Sequence, residues 1–321
     1  MSDPQQQCIL LHGPTASGKT GLAIRLAQAM DGVVINADSM QLYRGMPVIT
    51  AVPTPQEQAQ APHRLYEVLD PSEPGNVTNW RALAVAEMEA ARIAGKTPIL
   101  CGGTGFYLKA MVEGISPIPD VEPDIRATLR QRREAEGLAP LEAELAQHDP
   151  ELAARLNPGD AQRVLRGLEV WHSSGKPLSW WQARPLDGPP PGWGFTLLKL
   201  LPDRDWVYDR CNRRFQMMLD DGAIEEVEQL ATRNLPPNLP AMRAIGVPEM
   251  LAMQRGDMSL EDATASASQA TRNYAKRQYT FARNQMTRPQ GALNAIHTLN
   301  TPDGPVDQSI LPAQNSRQGD A

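Results

Sequence analysis

The sequence predicts an α/β fold, a parallel sheet flanked by helices with a helical insertion, on three observations. Short apolar runs at 8–12, 32–37, 98–101 and 195–201 alternate with helical patterns, the order that builds parallel strands joined by crossover helices. The first run leads straight into Gly13-Pro14-Thr15-Ala16-Ser17-Gly18-Lys19-Thr20 and then into the helical pattern Leu22, Ala23, Ile24, Leu26 and Ala27, so a glycine-rich loop joins a strand to a helix. From 118 to 190 no convincing strand occurs, only stretches rich in Arg, Glu, Ala and Leu separated by Pro and Gly, which reads as a helical insertion. The expected division is 1–117 for the first part of the core, 118–190 for the insertion, 191–300 for the second part of the core, and 301–321, polar and without periodicity, for a disordered tail.

The loop fits the pattern G-x-x-x-x-G-K-[ST] and makes the predicted core P-loop NTPase-like. Gly13 and Gly18 permit backbone angles that a side chain would forbid, so successive N–H groups can turn toward phosphate oxygens. The helix N-terminus behind them adds positive potential. Lys19 supplies a point charge and Thr20 a hydroxyl able to hold Mg2+ beside the phosphates. At average composition the four fixed positions would arise by accident in a chain this long roughly 1% of the time, so a plain glycine turn is the weaker reading. The loop alone names a phosphate chain, not the compound that carries it.

A chain of 321 residues with 41% hydrophobic and 21% charged residues has the make-up of a globular protein able to bury a core. Its 29 prolines predict many loops and helix stops. No apolar run approaches a membrane span and the first seven residues are polar, so no membrane contact, no leader and a cytoplasmic location are expected. Cys8, Cys101 and Cys211 stand far apart with no C-x-x-C pair, which argues against a disulfide framework and a zinc knuckle. The net charge of −6 argues against nonspecific coating of nucleic acid but leaves room for a local basic face.

The run at 32–37 ends at Asp38-Ser39, and ligands of parallel sheets sit beyond the carboxyl ends of strands, so Asp38 is expected to face the crevice of the phosphate loop. An Asp at a strand end is also a common turn former. Met40 to Gly45 reads as a binding loop, 63–69 as a strand, and Thr78 as the N-cap of a helix presenting Trp80, Ala84, Met88 and Ala91 on one face. After the strand at 98–101 comes Gly102-Gly103-Thr104-Gly105, where many P-loop NTPases place a metal-binding Asp. That is a first hint that nucleoside triphosphate hydrolysis is not the task. In the insertion, arginines around Arg126 are interleaved with acids and read as a solvated face, and Asp160 to Arg166 starts a helix with Arg163 and Arg166 one turn apart. Asp203 caps a helix whose buried stripe is Val207, Cys211, Phe215 and Met218, with Arg210 and Arg214 beside it. From 271 to 290, Arg272, Lys276, Arg277, Arg283 and Arg288 alternate with Tyr274, Tyr279 and Phe281 and no acid intervenes, a pattern suited to a phosphate backbone and stacked bases.

Taken in series, the loop at 13–20, Asp38-Ser39-Met40-Gln41-Leu42-Tyr43, Gly102-Gly103-Thr104-Gly105-Phe106-Tyr107, Asp160-Ala161-Gln162-Arg163 with Arg166, Ser174-Gly175-Lys176 and Thr271-Arg272-Asn273-Tyr274-Ala275-Lys276-Arg277-Gln278 resemble the tRNA dimethylallyltransferases, also called tRNA isopentenyltransferases, of bacterial type. The resemblance runs from about residue 8 to about residue 283. It implies transfer of a dimethylallyl group from dimethylallyl diphosphate to the exocyclic amine of the adenosine 3′ to the tRNA anticodon, with release of diphosphate. It implies Asp38 as general base, Lys19 and Arg214 on the diphosphate together with Gly13, Pro14, Thr15, Ala16, Ser17, Gly18 and Thr20, and Mg2+ on Thr20. Contacts to tRNA are implied for Asp38, Ser39, Met40 and Gln41, for Thr104 and Arg126, for Gln162, Arg163, Val164, Leu165 and Arg166, and for Arg272, Lys276 and Arg277. The anticodon stem-loop and dimethylallyl diphosphate are then the expected partners and a monomer the expected form.

Where that family has Asp, Gly and Lys shortly after the binding loop, this chain has Pro47, Ile49 and Val52. Gln41 is read as a contact to the edge of the target base. Two other readings share the loop: a P-loop kinase or ATPase, and an isopentenyltransferase acting on free adenine nucleotides. The insertion and the basic segment argue against the second, since a mononucleotide needs neither.

Overall fold

The computed structural model describes residues 5–304. The chain opens with β1 (Gln6–His12), α1 (Lys19–Met30) and β2 (Gly32–Asn36), followed by two short helices, α2 (Pro47–Thr50) and α3 (Pro55–Gln58). Next come β3 (His63–Arg64), α4 (Val77–Ile93), β4 (Thr97–Gly102) and α5 (Gly105–Glu113). The insertion carries α6 (Pro123–Glu136), α7 (Ala139–His148), α8 (Pro150–Arg155), α9 (Ala161–Ser174) and α10 (Leu178–Gln182). The core resumes with β5 (Trp193–Leu200), α11 (Arg204–Asp220), α12 (Ala223–Thr232), α13 (Val247–Gln254), α14 (Leu260–Asn284) and β6 (Leu293–Leu299).

The six strands form one sheet in the order β3-β2-β4-β1-β5-β6, every pair parallel. Alternation along β1 explains why both faces are covered. Cys8 and Leu10 point to the side packed by Trp80, Met88, Leu108 and Met111, while Ile9 and Leu11 point to the side packed by Leu22, Ala23 and Leu26 of α1. A separate cluster joins Phe215 and Met218 of α11 to Val227, Met250, Ala263 and Ala267. Ala16 of the phosphate loop packs with Val207, Cys211, Ala275 and Tyr279, so the loop rests on α11 and α14. Lys199, 6% exposed, reaches from β5 to donate to the carbonyls of Ala282 at 2.6 Å and Gln285 at 3.3 Å, closing the C-terminus of α14.

Three expectations change. The strand foreseen at 63–69 is only His63–Arg64, because Leu65 and Glu67 take left-handed backbone angles, φ 61° and 53°. The chain there turns to bond the binding loop, Glu67 N–H to the Gln41 carbonyl at 3.0 Å and Leu69 N–H to that of Leu42 at 2.8 Å. The cap of α4 is Asn76, which accepts from the Asn79 N–H at 2.8 Å, not Thr78. Of the tail foreseen at 301–321, residues 305–321 lie outside the described part, and Pro302 is buried: its carbonyl accepts from Arg25 and its ring lies over Gly18.

Glu113–Gly188 forms its own compact unit. Its core is Leu129, Leu141, Leu145, Leu152, Val164 and Leu168, and the Asp149 side chain caps α8 at Leu152 N–H, 3.0 Å, while also accepting from Ser179 N–H at 2.9 Å.

The ends of β2 and β4 are zipped past the last strand residues by Ala37 N–H to Cys101 carbonyl, 2.8 Å. Gly102 makes this possible: a methyl there would run into the Ala37 carbonyl group and lie 2.6 Å from the Asp38 nitrogen. Gly102→Ala is expected to lower stability to urea by about 1–3 kcal/mol through this overpacking. An unchanged denaturation midpoint would show that the two strand ends are free to separate.

Candidate active site

The phosphate loop leaves β1 at Gly13 and enters α1 through Gly18, whose φ of 88° is left-handed. No side chain caps α1, so its first N–H groups are left for a ligand. Ser17 is fully buried and its hydroxyl has no protein partner, a donor aimed inside the loop with its hydrogen bond unmade. Lys19 Nζ donates to the Pro14 carbonyl at 2.7 Å. Burial, with a smaller contribution from Arg214, brings the Lys19 pKa down to about 8 against the upward pull of Cys101 and Asp38. Arg214 is likewise lowered by burial and raised by Asp38. His12, beneath the loop, is pushed down to about 4 by burial and by Lys19, so it adds no third charge at neutral pH.

Two helices fix the loop from outside. Arg214 of α11 donates to Thr15 Oγ1, and Arg210 Nε donates to the Ala16 carbonyl at 2.9 Å with its guanidinium 4.6 Å from the Trp206 ring centre. From α14, Gln278 Oε1 accepts the Thr15 N–H at 2.8 Å. Arg210 and Arg214, beside the buried stripe of α11, thus hold the loop rather than merely covering a helix edge.

Asp38 faces the same crevice. Its backbone N–H donates to Asn36 Oδ1 at 2.7 Å, and Asn36 Nδ2 returns to the Asp38 carbonyl at 3.0 Å. Its Oδ1 accepts the Met40 N–H at 3.1 Å, the turn-forming role of an Asp in this place, while Oδ2 stands over Gly103. The turn therefore occupies one oxygen and leaves the other without a protein hydrogen bond among the described residues. Thr104 Oγ1 accepts the Ser39 N–H at 3.0 Å and lies 3.3 Å from Ser39 Oγ. Gln41 gives its amide N–H groups to the carbonyls of Thr50 at 3.1 Å and Ala51 at 2.6 Å, so the group expected to read a base edge is engaged in holding the loop, and only its carbonyl oxygen remains for a ligand.

Thr15, Asp38 and Arg214 line both parts of the crevice. A part of about 260 Å3 has apolar walls from Met40, Ile49, Phe215, Met218 and Ile245. A wider part of about 850 Å3 includes Ser17, Gly18, Lys19 and Thr20. The departures at 47–52 find their places here. Pro47 occupies the first position of α2, where its missing N–H is not needed, and Glu226 accepts the next two N–H groups, Val48 at 2.9 Å and Ile49 at 2.8 Å. Ile49 is packed against Gly246 and Phe215, and Val52 puts a buried apolar wall in the wider part. The phosphate loop offers a cation the hydroxyl oxygens of Thr20 and Ser17, and no cluster of three His, Cys, Asp or Glu gathers among the described residues. That set suits Mg2+ carried mainly by phosphates and water rather than a protein cage.

On α14, Asn273, Lys276, Arg277 and Thr280 line an outer groove, the Arg277 guanidinium lies 5.5 Å from the Tyr274 ring centre, and Arg272 donates to Asn212 and to Gln269. In the insertion unit, Arg126 and Arg166 share Glu169, at 3.9 and 3.6 Å, and Arg163 lies 3.5 Å from Asp160. Such surface pairs are weak and leave the arginines able to exchange partners. Gln162 is exposed, but Val164 is 2% exposed in the unit's core. This corrects the expectation that the whole run 162–166 faces RNA, because the helical period turns Val164 inward. Sequence reasoning passed over Asn36, Tyr274 and Gln278 as site residues. An Asn closing the apolar run 32–36 was the one local signal; the other two are placed only by the folding of α14 onto the loop.

A family model described as IPP transferase matches residues 41–285. The tRNA dimethylallyltransferase of Rhodospirillum centenum is 52% identical over 278 residues, which are 87% of this chain and 88% of that one. The chain belongs to the IPP transferase family. The tRNA dimethylallyltransferase of Rhodopseudomonas palustris is 48% identical over 292 residues, 89% of this chain and 90% of its own. Among solved structures, the tRNA isopentenylpyrophosphate transferase from Bacillus halodurans superposes with a TM-score of 0.65 at 32% identity, over 95% of this chain and 93% of that one. A eukaryotic dimethylallyltransferase acting on tRNA gives 0.75 at 28% identity, over 92% and 74%. The IPP transferase fold accounts for the P-loop NTPase-like core; the motifs from Gln41 onward lie within the family match, and the phosphate loop and Asp38 precede it.

The pKa of Lys19 sets a pH test. A lowered lysine pKa means that the folded site favours the neutral amine above about 8, whereas an anion binds the ammonium. The affinity for dimethylallyl diphosphate, measured calorimetrically without tRNA, should fall as pH rises through that value, approaching about tenfold per pH unit. In Lys19→Met, binding should be weaker and flat over the same interval. A slope that survives the substitution would place the titrating group elsewhere.

Proposed function

We propose that this chain transfers a dimethylallyl group from dimethylallyl diphosphate to the exocyclic amine of the adenosine 3′ to the anticodon of tRNA. The observation that carries the proposal is the free Oδ2 of Asp38 facing one crevice with Lys19, Arg214 and the phosphate loop. As the carbon–oxygen bond breaks, its electron pair passes to the diphosphate, and negative charge grows where the loop N–H groups, Lys19 and Arg214 are already aimed. Losing one such donor typically costs about 3 kcal/mol of transition-state stabilisation. When bound at Thr20, Mg2+ would add neutralising charge to the same oxygens.

The amine nitrogen forms the new bond to carbon. An adenine amine is a poor nucleophile because its lone pair is delocalised into the ring. Asp38 Oδ2 takes its proton during attack, a contribution typically of about 10²–10⁴-fold. The apolar part of the crevice, walled by Ile49, Phe215 and Met218, suits a branched five-carbon chain and excludes water from the allylic centre. The base must leave the anticodon stack to reach this site, and Lys276, Arg277 and Arg272 of α14, with Arg126, Arg163 and Arg166 of the insertion, would hold the stem-loop phosphates.

All groups invoked reside on one chain, so a monomer suffices, and three buried free thiols suit a reducing cytoplasm. A kinase reading lacks support: the end of β4, where a metal-binding carboxylate would stand, is Gly102-Gly103 packed against Ala37 and Gln278.

Labelled dimethylallyl diphosphate incubated with the chain, Mg2+ and unmodified tRNA should leave its label on the adenosine next to the anticodon. ATP turnover with no label in RNA would defeat the proposal. Asp38→Ala should lower transfer by at least about 10²-fold with tRNA binding changed only a few fold, and wild-type turnover in that variant would remove Asp38 as base. Replacing both Arg272 and Lys276 by Ala should reduce the salt slope of tRNA binding by about 2; an unchanged slope would take them out of the interface.

A further inference from the structure

We propose that Gln278 is a positioning residue that links the RNA-facing helix to the phosphate loop, so that tRNA and diphosphate each tighten the binding of the other. The inference rests on the transferase reading given above.

Gln278 is 4% exposed and uses each half of its amide once. Its Oε1 accepts the Thr15 N–H at 2.8 Å, and its Nε2 donates to the Gly103 carbonyl at 2.9 Å. Both partners are backbone groups, one in the phosphate loop and one in the turn after β4. That turn carries the rest of the reaction centre. A methyl on Gly103 would collide with the Gln278 amide and stand 3.1 Å from Asp38 Oδ2, so only glycine lets amide and carboxylate approach one another here. Thr104, the next residue, holds Ser39, and the Tyr274 hydroxyl, one helical turn before Gln278, lies beside both Thr104 and Gln278.

The other side of the same two turns of α14 faces outward. Asn273, Lys276, Arg277 and Thr280 line the outer groove, while Ala275, Gln278 and Tyr279 point in and are buried. A 25-residue helix is stiff on this scale, so whatever fixes Lys276 and Arg277 also fixes Gln278, and with it the Thr15 N–H and the Gly103 carbonyl. Thr15 is held at its hydroxyl by Arg214 as well, which places the diphosphate-side cation and the RNA-side helix on one residue. Ordering the loop once serves both ligands, and linkage makes the effect equal in both directions.

The test is the affinity of inorganic pyrophosphate, with Mg2+, in the absence and presence of saturating unmodified tRNA. In the wild-type chain tRNA should tighten pyrophosphate by at least about fivefold. In Gln278→Met, of similar length and without hydrogen bonds, each ligand alone should bind within about threefold of wild type while the coupling falls below about twofold. Should Gln278→Met melt before the measurement, Gln278→Glu keeps the reach and the acceptor for Thr15 and loses the donor to Gly103; its coupling should fall at least about threefold. A merely structural glutamine would shift the melting temperature and leave the coupling intact. Wild-type coupling in these variants, or none in the wild-type chain, overturns the inference while leaving the transferase reading standing. A wild-type chain that binds neither pyrophosphate nor tRNA overturns both.

Discussion

Two buried cations share the end of one parallel sheet, and a carboxylate across the crevice favours their charged forms. Burial pulls both Lys19 and Arg214 toward their neutral forms; Cys101 and Asp38 raise Lys19 again, and Cys211 and Asp38 raise Arg214. Lys19 is left poised at about 8. Buried as it is, such a pair gains most from an arriving polyanion, because its attraction is weakly screened. His12 directly below is kept neutral by the same burial and the same lysine, so the site does not accumulate a charge it cannot offset. Positive groups prepared before the anion arrives need no reorganisation when charge develops on the leaving oxygens.

The surrounding architecture serves that arrangement. Asn36, fully buried, ties Asp38 at both its N–H and its carbonyl and reaches the Leu65 carbonyl at 3.0 Å. Trp80 donates to the Asn36 carbonyl at 2.8 Å and stacks on Tyr107 at 4.4 Å. Asp38 is thus anchored through the hydrophobic layer on one face of the sheet. The cradle is anchored from another direction, by Arg210 and Arg214 on α11 and Gln278 on α14, with α14 itself closed at its far end by Lys199 from β5. Asp38 and the phosphate loop therefore hang on different elements that meet at the strand ends, where glycines at 102 and 103 allow the close approach.

Much of this could be read before folding, and the division is physical. The phosphate loop is local: eight consecutive residues between a strand pattern and a helix pattern specify it, and the structure places them so. Asp38 was legible because the ends of parallel strands converge. The strand at 63–69 was misjudged because a favourable apolar pattern lost to hydrogen bonds with residues 41 and 42, which no local pattern encodes. Val164 shows the converse, since helical period alone would have turned it inward. Gln278 and Tyr274 lie more than 230 residues from Asp38 in the chain and carry no sign of their partners in sequence; only packing of α14 against the loop reveals what they touch. Pro47 and Ile49, departures from the family pattern, prove compatible with a short capped helix packed on Phe215, whereas Val52 gives the crevice an apolar wall in place of a cation.

The most direct test of the whole account is a crystal structure of this chain with tRNA and a thio analogue of dimethylallyl diphosphate that cannot react. The diphosphate should lie within hydrogen-bond distance of Lys19 Nζ, Arg214 and the loop N–H groups, with the flipped adenine amine against Asp38 Oδ2. A diphosphate bound outside the loop, or an adenine amine out of reach of Asp38, would contradict it.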